Sequence, residues 1–117
     1  MKVLLVDDEE ELVTALAERL SFRGIDADWS TSGSHALELA QAHAYDVAVL
    51  DVKMPNISGI ELKKRLEKTR PDMTYIFLTG HGSEEDFWAG SAEASQYLVK
   101  PLDIETLIET MRQVVQK

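Results

Sequence analysis

The residues of this chain best suited to chemistry are five polar side chains that follow short apolar runs. They are Asp7, Asp8, Asp51, Thr79 and Lys100. The apolar runs cover residues 3–6, 47–50, 75–78 and 97–99. If these runs are parallel strands, their carboxyl ends meet at one edge of the sheet, where three carboxylates, one hydroxyl and one ammonium converge. Such a set can hold a divalent cation and a phosphoryl group, with a carboxylate as the nucleophile.

The adjacent carboxylates of Asp7 and Asp8 have two interpretations. Asp8 can cap the first helix, while the acidic residues 9–11 complement the positive end of its dipole. Alternatively, the two carboxylates bind a hard cation such as Mg²⁺, which takes oxygen ligands and relieves their repulsion. Asp51 favours the cation, because a third carboxylate in one small pocket is costly unless a cation is shared.

Lys100 and Thr79 supply hydrogen-bond donors to the same pocket. Lys100 follows the apolar run 97–99, which should hold it at the pocket rather than on a free surface. Its ammonium could pair with Asp51 at rest and with a phosphate later. Thr79 could donate a hydrogen bond to a phosphate oxygen, and Gly80 behind it leaves room for an incoming group.

Helical periodicity fills the segments between the apolar runs, so strand and helix alternate five times along the chain. Gly24 should end the first helix, and a weaker strand is predicted around residues 26–29. The N-caps predicted for later helices are Ser32, Ser58 and Asp103. Residues 83–95 should form only a short or frayed helix, because Gly90 interrupts it. This alternation predicts a parallel sheet with helices on both faces.

Composition limits the classes of protein that remain. The chain has 117 residues and 44% hydrophobic content, which predicts one globular domain over residues 1–117. A net charge of -9 and the lack of a basic stripe argue against direct binding of nucleic acid. The sequence contains no membrane-length apolar run, no signal peptide and no cysteine, so we expect a cytoplasmic protein that does not engage a membrane.

The chain resembles the receiver domain of bacterial two-component response regulators. The resemblance extends from about Lys2 to the last helix, and it is carried by several motifs in order. They are residues 3–9, residues 50–55 with Gly59, residues 78–80 and residues 97–101. It implies an α/β fold of flavodoxin-like (βα)5 type, doubly wound, whose five parallel strands lie in the order 2-1-3-4-5.

The resemblance also implies the roles of the acidic residues. Asp51 matches the phosphoacceptor, which takes a phosphoryl group from a phosphohistidine on a sensor histidine kinase. Asp8, Asp51 and the backbone carbonyl of Lys53 would ligate Mg²⁺, and Asp7 would act on the metal through water. Lys100 would contact the phosphate. A receiver domain is a phosphoacceptor that assists its own phosphorylation and dephosphorylation, rather than an enzyme in the usual sense.

A switch and an output surface follow from the same resemblance. Thr79 matches the switch hydroxyl and Tyr97 the switch aromatic, and they would alter the surface formed by the fourth and fifth helices and the fifth strand. That surface would serve an unknown effector, a fused output domain or a phosphorylation-dependent homodimer. One feature departs from the family pattern, and another is a family feature that the sequence alone does not establish. Glu93-Ala94 replaces the usual pair of small residues, and the bond between Lys100 and Pro101 is often cis in the family although trans is commoner in general.

Two alternatives remain open. A hydrolase of the haloacid-dehalogenase type would also use an aspartyl phosphate, but it requires a second acid two residues after the nucleophile, where this chain has Lys53. A pseudo-receiver that binds partners without being phosphorylated is the other alternative, and the complete set of five polar residues argues against it.

Overall fold

The computed structural model describes residues 1–80 and 96–116. Strands and helices alternate, and their bounds are β1 (Lys2–Val6), α1 (Glu10–Phe22), β2 (Asp26–Ser30), α2 (Gly33–Ala42), β3 (Val47–Asp51), α3 (Gly59–Thr69), β4 (Thr74–Thr79), β5 (Gln96–Val99) and the C-terminal helix α4 (Ile104–Val115). The helix predicted over residues 83–95 lies outside the described residues. No helix in the described ranges is long and apolar enough to cross a membrane.

The five strands form one parallel sheet in the order β2-β1-β3-β4-β5. This is the predicted order and the predicted direction of every strand. The central strand β3 lies between β1 and β4, and its Leu50 pairs with Val6 on one side and Phe77 on the other. All five residues of β3 are buried, as expected for a strand covered on both faces.

The sheet separates two apolar layers, because successive side chains of a strand point to opposite faces. On one face, Leu5 and Val49 pack in the same cluster as Leu16 of α1 and Met111 of α4. A second cluster on the other face contains residues of the sheet and of α2 and α3. Its members include Leu4, Leu50, Phe77, Ala36, Ala40, Leu62 and Leu66. Helices therefore cover both faces, as the alternation of strand and helix predicts.

Three predicted N-caps are confirmed by side-chain hydrogen bonds. Ser32 accepts from the backbone N–H of His35 at 3.2 Å, and Ser58 accepts from that of Glu61 at 3.1 Å. Asp103 likewise accepts from the backbone N–H of Thr106 at 3.0 Å. Gly24 has φ +76° just beyond the end of α1, which is the left-handed conformation that glycine adopts without a steric penalty.

The interpretation of Asp8 as a helix cap is wrong. The N-cap of α1 is Glu9, whose side chain makes no capping hydrogen bond. Instead, Oδ1 of Asp7 accepts a hydrogen bond of 2.9 Å from the backbone N–H of Glu9. Asp8 lies one residue too early to serve as the cap, and it is exposed. The bend that begins the helix is thus stabilised by a buried acid of the candidate site.

Candidate acidic site

Four strands deliver the predicted site residues to one edge of the sheet. Asp7 follows β1, Asp51 ends β3, Thr79 ends β4 and Lys100 follows β5. These strands are neighbours in the order β1-β3-β4-β5, so their carboxyl ends lie side by side. The connections leave β1 and β3 in opposite directions across the sheet, and ligands of open parallel sheets bind at such a switch point.

Three carboxylates cluster at this point. Asp7, Asp8 and Asp51 each offer an oxygen, and these oxygens lie within 4.8 Å of one another. Asp7 is 1% exposed and Asp51 is 4% exposed, whereas Asp8 faces solvent. Ionised carboxylates repel one another at this spacing, and burial removes the water that would weaken the repulsion. An all-oxygen donor set suits a hard cation such as Mg²⁺ better than a thiophilic metal.

Burial and mutual repulsion disturb the titration of the two buried acids. Burial, and after it the charge of Asp7, raise the pKa of Asp51 to about 7 against the lowering effect of Lys100. The pKa of Asp7 is also raised by burial, against the lowering effect of hydrogen bonds from Lys100 and from the backbone of Glu9. The pocket therefore disfavours a full set of ionised carboxylates, and either a proton or a cation would relieve their repulsion.

The ammonium group of Lys100 lies among three carboxylates. Its Nζ is 2.7 Å from Oδ2 of Asp7, 2.8 Å from Oε1 of Glu9 and 3.6 Å from Oδ2 of Asp51. Burial lowers the pKa of Lys100, but the hydrogen bonds to Asp7 and Glu9 outweigh burial and raise it overall. The predicted pairing with Asp51 exists, but it is the longest of the three contacts.

Glu9 is a member of the site that the sequence did not identify. Its position after Asp8 indicated only a charge near the helix dipole, and nothing in the spacing shows where a long, exposed side chain will point. Its carboxylate reaches over the pocket and joins the ammonium of Lys100, a residue 91 positions later in the chain. The backbone of Lys100 is also held at the end of β4, because its N–H donates to the carbonyl of Thr79 at 2.7 Å.

The bond between Lys100 and Pro101 is cis. This agrees with what the resemblance suggested and not with the general preference for trans.

Thr79 is 4% exposed at the end of β4. A Cβ added at Gly80 would meet no heavy atom of the described residues within 4 Å.

Tyr97 lies beside β4 on the same face of the sheet as Thr79. The register pairs Tyr97 with Phe77, and Phe77 precedes Thr79 by two residues, so all three side chains project to one side. The ring of Tyr97 is 5.6 Å from that of Phe77 between centroids, and it packs against the α2 and α3 layer. The two predicted switch residues are therefore near neighbours on adjacent strands.

Residues 52–58 form the loop that connects Asp51, at the end of β3, to the start of α3. The backbone N–H of Gly59 donates to the carbonyl of Val52 at 3.0 Å, and Asn56 has φ 72° within the loop. Lys53 is exposed in this loop. The departure at Glu93-Ala94 lies outside the described residues.

The fold and the pocket together define a parallel α/β protein with an acidic pocket at the switch point of its sheet. Comparison with known proteins specifies this class. The response regulator receiver domain family matches residues 3–112. Response regulator MprA of Mycolicibacterium vanbaalenii is 34% identical over 118 residues, which cover 100% of this chain and 51% of that protein.

Solved structures of response regulators share the fold of this chain. The chemotaxis protein CheY4 of Vibrio cholerae superposes with a TM-score of 0.87 at 33% identity, covering 97% of both chains. A response regulator of Burkholderia pseudomallei, solved with a phosphorylated aspartic acid, a calcium ion and citrate, gives 0.85 at 29% identity over 97% of this chain and 68% of that one. The chain belongs to the receiver domain family of the response regulators of two-component systems. It spans about half the length of the MprA relatives it matches.

Proposed function

We propose that Asp51 accepts a phosphoryl group from a phosphohistidine of a sensor histidine kinase. The observation that carries this proposal is the position of Asp51, buried at the end of the central strand with an ammonium 3.6 Å away and two further carboxylates beside it. A carboxylate so placed is a nucleophile whose reaction partner arrives from solvent at the sheet edge. The relative from Burkholderia pseudomallei, with its phosphorylated aspartic acid, supports the assignment.

The chemistry is an in-line displacement. A carboxylate oxygen of Asp51 forms a bond to phosphorus while the bond from phosphorus to the imidazole nitrogen breaks, and the electron pair leaves with the imidazole. Lys100 would then turn from the carboxylates toward an equatorial phosphoryl oxygen and stabilise its charge. The domain thus assists its own phosphorylation and, by the same contacts, the hydrolysis that ends the signal, without turning over a separate substrate.

Mg²⁺ fits the donor set of this pocket. Asp8 and Asp51 would hold the ion directly with the backbone carbonyl of Lys53, and Asp7 would act through water. The cluster of carboxylate oxygens within 4.8 Å, two of them buried and repelling, is the kind of environment that a hard cation stabilises. When bound, the ion supplies positive charge to the phosphoryl oxygens.

Phosphorylation would be read out through Thr79 and Tyr97. The new phosphoryl group carries roughly two negative charges and three acceptor oxygens, in place of the single charge of the ionised Asp51 carboxylate. Thr79 would donate a hydrogen bond to it and vacate space that the ring of Tyr97 can fill, because both side chains lie on one face of adjacent strands. This couples a local charge change to the surface around β5 and α4.

The partners and context are part of the same proposal. We expect residues 1–117 to act as a single receiver domain in the cytoplasm, phosphorylated by a sensor kinase and coupled to an effector or to a fused output domain. The relatives, which are about twice as long, support a fused output region. A homodimer that forms on phosphorylation is a further expected state. We do not expect this acidic domain to bind nucleic acid or a membrane directly.

Intact-mass measurement with acetyl phosphate and Mg²⁺ tests the proposal against its two alternatives. One added phosphoryl group that is absent in Asp51→Asn supports the phosphoacceptor. Continuous release of phosphate with no phosphorylated protein accumulating would indicate a hydrolase, although the Lys53 position lacks the acid such enzymes require. No added mass in the wild-type protein would indicate a pseudo-receiver.

A further inference from the structure

The ion pair between Glu9 and Lys100 has no place in the phosphotransfer described above. The side chain of Glu9 is 62% exposed, whereas that of Lys100 is 16% exposed. Glu9 therefore approaches the pocket from the solvent side, the side from which a phosphodonor must enter. It contacts Lys100 at 2.8 Å, closer than Asp51 does at 3.6 Å.

An ammonium group has three N–H donors. In this structure Asp7 and Glu9 lie within hydrogen-bond distance of the Lys100 ammonium and Asp51 lies 3.6 Å away, so Lys100 has to turn away from one of its two close partners to approach an incoming phosphoryl oxygen. Asp7 is buried, and it is tied to the backbone of Glu9 by its other oxygen. Asp51 is the residue whose carboxylate reacts with the phosphoryl group. Glu9 is the only one of the three whose carboxylate can move into water without leaving a buried charge unpaired.

We propose that Glu9 is a positioning residue that holds Lys100 in the unphosphorylated state and must release it when the phosphoryl group binds. This inference rests on the proposed phosphoacceptor function of Asp51. The competition lowers the affinity for any group that resembles a bound phosphoryl group, and it slows phosphorylation. Glu9 also adds a negative charge at the entrance of the pocket, and this charge repels anionic donors. A test must therefore distinguish the ion pair between Glu9 and Lys100 from general electrostatic repulsion.

Three variants make that separation. Glu9→Gln removes the charge and keeps the size of the side chain. Glu9→Asp keeps the charge but shortens the side chain by one methylene, so its carboxylate no longer reaches Lys100 from the same backbone position. Glu10→Gln removes one charge from the first turn of α1, at a residue that is not an ion-pair partner of Lys100 in the described chain.

The measurements are the initial rate of phosphorylation by acetyl phosphate and the dissociation constant of beryllofluoride, a phosphoryl mimic, by calorimetry in saturating Mg²⁺. Partly exposed ion pairs of this kind are worth up to ~1 kcal/mol, so Glu9→Gln and Glu9→Asp should each tighten beryllofluoride binding by about two- to fivefold. Glu10→Gln should change it by less than about 1.5-fold. Thermal unfolding of each variant checks that the fold is intact.

A double variant tests whether the effect passes through Lys100. In a Lys100→Met background, Glu9→Gln should have no larger effect than Glu10→Gln, because the group it holds is gone. Equal effects of Glu9→Gln and Glu10→Gln, or a Glu9→Asp variant that behaves as wild type, would show that only charge matters and would overturn the proposal. Failure of the wild-type protein to gain a phosphoryl group would instead refute the function on which the proposal rests.

Discussion

Gly59 and Asp51 are packed so closely that no side chain fits between them. A Cβ built on Gly59, the first residue of α3, would overlap the backbone carbonyl oxygen of Asp51. The start of α3 thus rests directly on the backbone of the proposed phosphoacceptor. The opposite holds at Gly80 beside Thr79, where an added Cβ would meet no described heavy atom within 4 Å.

This contrast predicts opposite responses to the same substitution. Gly59→Ala should lower the free energy of unfolding by about 1–3 kcal/mol, because the added methyl group forces backbone apart in a packed region. Gly80→Ala should change it by no more than about 1 kcal/mol in either direction. Urea denaturation at neutral pH gives both values. A Gly59→Ala protein as stable as wild type would show that α3 can shift away from Asp51.

Mg²⁺ should stabilise the folded chain through the acidic cluster. A cation that binds the native state alone raises the unfolding free energy by about 2.7 kcal/mol when present at one hundred times its dissociation constant. The melting temperature should therefore rise with millimolar Mg²⁺, and the rise should be lost in Asp8→Ala. Asp72→Ala, which removes an exposed acid in the turn before β4, is the matched control and should keep the shift. An undiminished shift in Asp8→Ala would place the cation elsewhere.

The raised pKa of Asp51 predicts an unusual dependence of stability on pH in the absence of divalent cations. In the folded chain Asp51 titrates at about 7, and its ordinary value is 3.8. Between those values the folded state binds more protons than the unfolded state. The stability of the metal-free protein should consequently fall as pH rises from about 4 to about 7 and level off above that.

Thermal unfolding over that range, with chelator present, measures the trend. Asp51→Asn should flatten it, because the titrating carboxyl is gone, and saturating Mg²⁺ should flatten it by favouring the ionised form. Stability that rises with pH across the same interval in chelator would contradict the raised pKa. The exposed Asp72 serves again as control, since Asp72→Asn should leave the slope in place.

Phosphoryl binding should change the environment of one tyrosine in three. The chain contains Tyr45, Tyr75 and Tyr97, and only Tyr97 lies on β5 beside Phe77. With 3-fluorotyrosine incorporated, beryllofluoride and Mg²⁺ should shift the ¹⁹F resonance of Tyr97 far more than the other two. Thr79→Ala should abolish most of that shift while leaving beryllofluoride bound. A Tyr97 signal that is unmoved in wild type would separate this ring from the switch.

Much of this architecture is readable from local sequence. Uniform apolar runs mark β1, β3 and β4 because strands covered on both faces have no polar side, and the N-caps at Ser32, Ser58 and Asp103 depend only on residues within one turn. Since parallel strands end at a common edge, the polar residues that terminate them had to meet. The position of the acidic pocket at this edge of the sheet follows from that rule alone.

Tertiary structure decided how those residues pair. Asp8 looked like a helix cap, yet the turn places Glu9 there and Asp7 bonds to it. Lys100 was expected to pair with Asp51, yet it lies closer to Asp7 and Glu9. The direction of a long side chain is set by the backbone around it and by charges brought from distant parts of the chain, and differences of about 1 Å select among carboxylates. Sequence determines which groups share a pocket, and packing determines which of them touch.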